Sequence, residues 1–190
     1  MRLALGKPRS HRRAATAPVS WIVLLTTLVL PTSSATADPD ETIADDFQSN
    51  SFAGSTGSVS WSGPWEEVGE SDGENAGTIQ VRDEPNCLDE PCLVVGRSLG
   101  PDAWVEREVD LSAYANATLT FDYKVHWHPP GGGTGELSVS GNGGDDWEIL
   151  DTWPLGTTTA DLVGSYDLTD YLSSDTVIRF GATDSSSESH

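Results

Sequence analysis

Four sets of residues have the types and spacing to do chemistry. His126 and His128 are separated by one residue, with Asp122 upstream. Alternate residues of a strand share a side, so the two imidazoles would stand about 7 Å apart and could hold Zn²⁺ with a neighbouring carboxylate. Lys124 lies between Asp122 and His126 on that side and opposes a cation. The plainer reading is two solvated histidines ahead of a Pro-Gly loop. Calcium suits an acid-rich surface better, because it takes hard carboxylate and carbonyl oxygens. Its candidates are Asp45, Asp46, Asp72 and Glu74; the alternative is a solvated acidic surface. Trp61, Trp65, Trp104 and Trp153 are not assigned to a core by alternation. Such rings could stack on the apolar CH faces of sugars, although most tryptophans of a small domain belong to its core. Cys87 and Cys92 are the two cysteines, in CLDEPC; in an exported chain such a pair is expected to form a disulfide that stiffens one loop. CxxC redox chemistry does not fit this spacing, and zinc would need two further ligands.

Nucleophilic or metallohydrolase catalysis has no support. G-x-S-x-G and H-E-x-x-H are absent, and no cysteine has a catalytic partner. Among 30 acidic residues some pairs arise by chance, and none is singled out as a glycosidase pair. No enzyme activity is therefore expected.

The chain has 190 residues, 36% of them hydrophobic, and a formal net charge of −20. Five basic residues and no acid fall in the first 37, so the remaining 153 residues carry five basic against 30 acidic groups, net −25. That balance argues against nucleic acid, which needs Lys and Arg to displace counterions, and against anionic membrane surfaces. A cation, an extracellular glycan or a basic protein surface stays open as a partner.

Residues 21–30 (WIVLLTTLVL) follow the basic stretch, Pro31 breaks the run, and Ala35-Thr36-Ala37 supplies a small-x-small site. This is the three-part pattern of a secretory leader, residues 1–37, cut after Ala37. The apolar run is too short for a bilayer span of about 20 residues. The alternatives are an uncleaved anchor and, from Arg12-Arg13, a twin-arginine route. The expected location is secreted, extracellular, with no membrane attachment after cleavage.

Beyond the leader, period-two alternation replaces any sustained helical period. In residues 117–127, Leu119, Phe121, Tyr123, Val125 and Trp127 share one face, and Thr118, Thr120, Asp122, Lys124 and His126 the other. In residues 104–111, Val105, Val109 and Leu111 share a face, with Arg107 the exception. Further strands are expected at 59–62, 65–69, 78–82, 93–97, 136–140, 147–153, 165–168 and 176–182. Single helical turns are expected at 110–114 and 169–172, and an exposed loop at 129–133. The expected fold is all-β, an antiparallel two-sheet sandwich. Its organisation is a short flexible N-terminus at 38–44, the sandwich domain at 45–183 and a polar tail at 184–190.

Several segments, in order, resemble the jelly-roll accessory domains of secreted bacterial hydrolases. Asp45-Asp46-Phe47-Gln48-Ser49 is similar to their D-D-F-E-S opening, and Trp61-Ser62-Gly63-Pro64-Trp65 follows where they carry tryptophans. Arg107-Glu108-Val109-Asp110-Leu111-Ser112 resembles R-x-V-D-L-S, and residues 117–123 resemble A-T-L-S-F-x-Y. Residues 139–147 resemble V-S-x-D-G-G-x-x-W; residues 166–169 and 177–180 resemble Y-D-L-S and I-R-F. The resemblance implies a jelly-roll sandwich like those of MAM domains, galactose-binding-like domains and carbohydrate-binding modules, with accessory binding or spacing as its role. The family's closing V-D-D-I-x-V strand, whose acid often holds calcium, is not found. The sandwich is thus expected to lack a strand, or the sequence to be a fragment of a longer exported protein.

Residues 140–147 also fit the spacing of an Asp-box hairpin, with Asn142 in place of the acid. There the third side chain bonds turn amides, glycines take positive φ and the tryptophan packs beneath. A structural turn is expected, with a cation at Asp145 or Asp146 as the alternative. Asn116-Ala117-Thr118 is a glycosylation sequon. The functional expectation is an exported non-catalytic β-sandwich module that binds glycan or acts as a spacer. The alternatives are an accessory module or fragment of a secreted peptidase or glycosidase, and a calcium-stabilised surface or adhesive protein.

Overall fold

A computed structural model describes residues 1–6, 41–85, 87–96, 103–125, 133–155 and 160–184. His126, His128 and the apolar run of residues 21–30 lie outside them. Among the described residues no helix is long and apolar enough to cross a membrane.

The protein is all-β. Its strands are β1 (Arg2–Gly6), β2 (Glu41–Ala44), β3 (Glu66–Val68), β4 (Ile79–Arg82), β5 (Cys92–Val95) and β6 (Ala103–Val109). They continue with β7 (Asn116–Tyr123), β8 (Gly133–Ser140), β9 (Glu148–Pro154), β10 (Leu162–Asp167) and β11 (Thr176–Asp184). One sheet has the order β10-β7-β1-β2, a second β3-β6-β11-β8-β9, and β4-β5 form a separate ribbon. The paired strands are antiparallel throughout.

Alternation explains the packing. Ala117, Leu119 and Phe121 of β7 meet Val109, Leu137, Val139 and Ile178 of the five-stranded sheet in the main core. A second cluster joins the ribbon residues Ile79 and Val81 to Phe52, Trp65 and Val105. The disulfide between Cys87 and Cys92 closes the ribbon end where Arg82 pairs with Cys92.

Leu111 and Leu168, both fully buried, enter the core from matching turns. Ser112 N–H and Oγ donate to Asp110 Oδ1, and Thr169 N–H and Oγ1 donate to Asp167 Oδ1. These bonds hold both carboxyls below their ordinary 3.8. A depressed folded-state value adds stability above pH 3.8, and that stability is lost as pH falls through the folded value. Thermal melts from pH 6 to pH 3 are expected to fall less steeply for an Asp110→Asn, Asp167→Asn double variant than for the natural chain.

Some expectations change. The stretch expected to be flexible, 38–44, supplies β2, because Ile43 is fully buried against the core; a single apolar residue gives no readable period. Residues 59–62 make no strand, only an isolated parallel bridge from Val59 to Ile43. At 169–172 the expected helical turn is a 3₁₀ turn, Thr169–Tyr171. Within 110–114 the chain makes one hydrogen-bonded turn, closed by Tyr114 N–H to Leu111 O, 3.1 Å. Asp184 ends β11 where a polar tail was expected. Most notably, residues 2–6, within the expected leader, form β1 in the interior of a sheet.

Candidate functional site

The outward face of the five-stranded sheet collects the polar and aromatic side chains that alternation keeps out of the core. On β6, Val105, Arg107 and Val109 are buried, so Trp104, Glu106 and Glu108 point outward. The register sets Trp104 opposite Gly181 and Glu106 opposite Arg179. It sets Arg179 opposite Ser138, Gly181 opposite Glu136, and Val68 opposite Trp104.

These residues build one aromatic–cation stack. The Arg179 guanidinium carbon lies 4.2 Å from the Trp104 ring centroid and 3.8 Å from that of Trp147, within cation–π range. Trp104 lies over Gly181 so closely that a Cβ there would collide with the ring, which is why glycine occupies this central strand. Arg179 also faces Glu106 at 3.7 Å. Burial lowers the Arg179 pKa, opposed by Glu106 and Glu136. Burial raises that of Glu106, opposed by Arg179 and reinforced by Glu66.

Next to the stack, Trp147 lines a hollow of about 290 Å³ with Tyr171, Val139, Asn142, Asp146 and Glu148. Burial, then Glu148 and Asp170, raise the Tyr171 pKa. The hollow's rim is the hairpin turn at 141–146. Ser140 Oγ donates to Asn142 Oδ1 at 2.7 Å and accepts from Gly144 N–H at 2.9 Å. Asp146 N–H donates to Asn142 Oδ1 at 3.0 Å, and Gly143 and Gly144 take φ +70° and +91°. The turn is the structural one expected from its spacing. An aromatic floor beside amide, carboxylate and hydroxyl groups is chemistry suited to a polyhydroxylated ring.

The four tryptophans expected to bind glycan divide. Trp61 and Trp65 are buried, because the chain between β2 and β3 folds over Arg107, whose guanidinium carbon lies 4.6 Å and 5.5 Å from their rings. Neither can meet a ligand. Trp153 packs into the core against Tyr123, centroids 5.2 Å apart, over Gly135. Trp104 alone stands on the outward face. Trp147, which lines the hollow, was not among the residues expected to bind, because its place in the hairpin motif marked it as structural.

The acids divide similarly. Asp45 is no cation ligand: its Oδ2 pairs with Arg107 Nη1 at 2.6 Å, with both side chains essentially inaccessible (0% and 1%). Trp65 Nε1 and Phe47 N–H donate to the same carboxylate. Asp46 is exposed and accepts from Gln48 N–H. Glu74 accepts from Asn75 Nδ2 at 3.3 Å. Asp72 instead joins Glu67 and Glu70, each offering an oxygen within 4.8 Å of the others, the one such group among the described residues. Glu70 accepts from Thr78 and Ile79. Glu67 Oε2 accepts from Gly73 N–H at 3.0 Å, while Glu67 Oε1 is buried with no hydrogen-bond partner. Glu67 and Glu70 were not foreseen, since nothing in their spacing separates them from the other acids. Lys124, expected to oppose a cation beside Asp122, pairs with Asp161 at 3.7 Å.

Comparison with protein-family models, characterised proteins and solved structures returns no match.

Proposed function

We propose that this chain is an exported, non-catalytic binding module of jelly-roll type that holds glycan on the outward face of its five-stranded sheet. The observation that carries the reading is the Trp104–Arg179–Trp147 stack beside the Trp147–Tyr171 hollow. Sugar CH faces would lie on the indole surfaces, and ring hydroxyls would donate to Asp146 and Glu148 and accept from Tyr171. Export is supported by the leader pattern of residues 1–37. The jelly-roll reading is supported by the family-like segments falling in order on β6, β7, β10 and β11. A panel of insoluble polysaccharides tests it: the secreted chain is expected to be retained on at least one and released by its soluble oligosaccharide. Free passage through every matrix would count against the reading.

A second reading, a surface protein stabilised by calcium, draws on Glu67, Glu70 and Asp72. The buried, unpartnered Glu67 Oε1 favours it, because an unsatisfied buried oxygen is costly and a hard cation would satisfy it. A site of extracellular strength at 10 mM calcium adds about 1.4–2.7 kcal/mol. Calcium is therefore expected to raise Tm by roughly 3–10 °C over chelator, and Glu67→Gln to abolish the rise. A melt indifferent to both calcium and chelator would remove this reading.

A further inference from the structure

The interior position of β1 leads to a different kind of site. Arg2–Gly6 runs antiparallel to both neighbours, pairing Leu3 with Ile43 of β2 and with Leu119 of β7. Leu3, Ile43 and Leu119 are all fully buried. Yet residues 1–37 carry the pattern of a leader that is cut away on export.

Each wall of this position is also held by contacts outside β1, although Asp45 bonds Met1 and Thr120 Oγ1 donates to Arg2 O. The far edge of β2 is held by the chain after it: Val59 N–H donates to Thr42 O at 3.0 Å and Thr56 N–H to Ala44 O at 2.8 Å. The end of β2 leads directly to Asp45, which is locked to Arg107. Tyr114 Oη donates to Glu41 Oε2 at 2.8 Å, a strut from the chain before β7 to β2. On the other wall, β7 is paired along Leu162–Asp167 with β10. Removing β1 therefore leaves two fixed strands separated by about 9.6 Å, twice the spacing of paired strands. Both would turn unpaired N–H and C=O groups toward an apolar floor.

We propose that in the exported chain this slot is a strand acceptor, filled by an extended strand of a partner polypeptide with an aliphatic residue where Leu3 lies. The proposal rests on the export reading. Backbone ladders on two sides supply affinity, and the Ile43–Leu119 floor selects the aliphatic side chain. An acidic residue at that place would be buried without a partner.

The test uses the chain secreted from an exporting host and the labelled peptide Met-Arg-Leu-Ala-Leu-Gly as the probe. Intact mass reads the export premise: a chain beginning at Asp38 is expected, and one that keeps Met1 overturns both the premise and the proposal. Fluorescence anisotropy then reads the slot. Saturable uptake is expected, at least tenfold weaker for the Leu3→Asp peptide, with hydrogen-exchange protection appearing over residues 41–44 and 117–122. A secreted chain that melts cooperatively only after peptide is added also supports acceptance. A chain beginning at Asp38 that takes up neither peptide, or both equally, overturns the proposal. So does a dimer that blocks uptake, which would give the slot to a second copy.

Discussion

Arg107→Ala is expected to destabilise the protein by about 3–5 kcal/mol, the range for breaking a buried ion pair by removing one partner. The side chain is almost wholly enclosed and its bonds are all specific. Nη1 donates to Asp45 Oδ2 at 2.6 Å, Nη2 to Gly54 O at 2.7 Å and Nε to Gly63 O at 2.9 Å. Two indoles flank it. Burial pushes the guanidinium pKa down and Asp45 pushes it up. The pair ties the start of the domain and the chain at 54–63 to the five-stranded sheet, so its loss leaves a carboxylate and two carbonyls buried without the donor that served them. A loss of this size is a large share of the 5–15 kcal/mol of an ordinary domain and lowers Tm by roughly 10 °C. Chemical denaturation of Arg107→Ala, Asp45→Ala and the double variant checks it: the double variant is expected to lose less than the two singles together. Simple additivity would mean that the two residues are not coupled.

The second large effect concerns binding. Trp147→Ala removes the floor of the hollow and one side of the stack, and Trp104→Ala removes the other. Truncating a central aromatic of a binding site costs about 2 kcal/mol or more, so each single variant is expected to weaken glycan retention at least 30-fold. Affinity electrophoresis in polysaccharide gels reads this, with circular dichroism and melts to verify the fold. Trp153→Ala is the informative contrast. Its ring packs over Gly135 and against Tyr123, so it is expected to lower stability while leaving retention of the folded fraction unchanged.

A strand with several alternating apolar residues, such as β7, was legible because one face is dry and the other is not. β2 was hidden because Ile43 is its single fully buried residue. Arg107 stood out as a charge at an inward position of β6, but its partner lies 62 residues away, and only the fold brings the two together. The same pairing turned Asp45 from a cation candidate into a buried counter-ion, and drew Trp61 and Trp65 inward. Trp104 lies on β6 and Trp147 just before β9, so their shared contact with Arg179 depends on strand order, which alternation does not encode. Glu67 faces inward opposite Val105 and meets Glu70 and Asp72 through a loop of irregular backbone, where no period exists to read.

The most direct test of glycan binding on this face is a titration of the isotope-labelled secreted chain with the soluble oligosaccharide of whichever polysaccharide retains it, followed by NMR. The indole Nε1–H signals of Trp104 and Trp147 and the amides of residues 142–148 and 177–181 are expected to shift together and saturate. Shifts confined to the opposite sheet, or an unchanged spectrum at millimolar sugar, would contradict it.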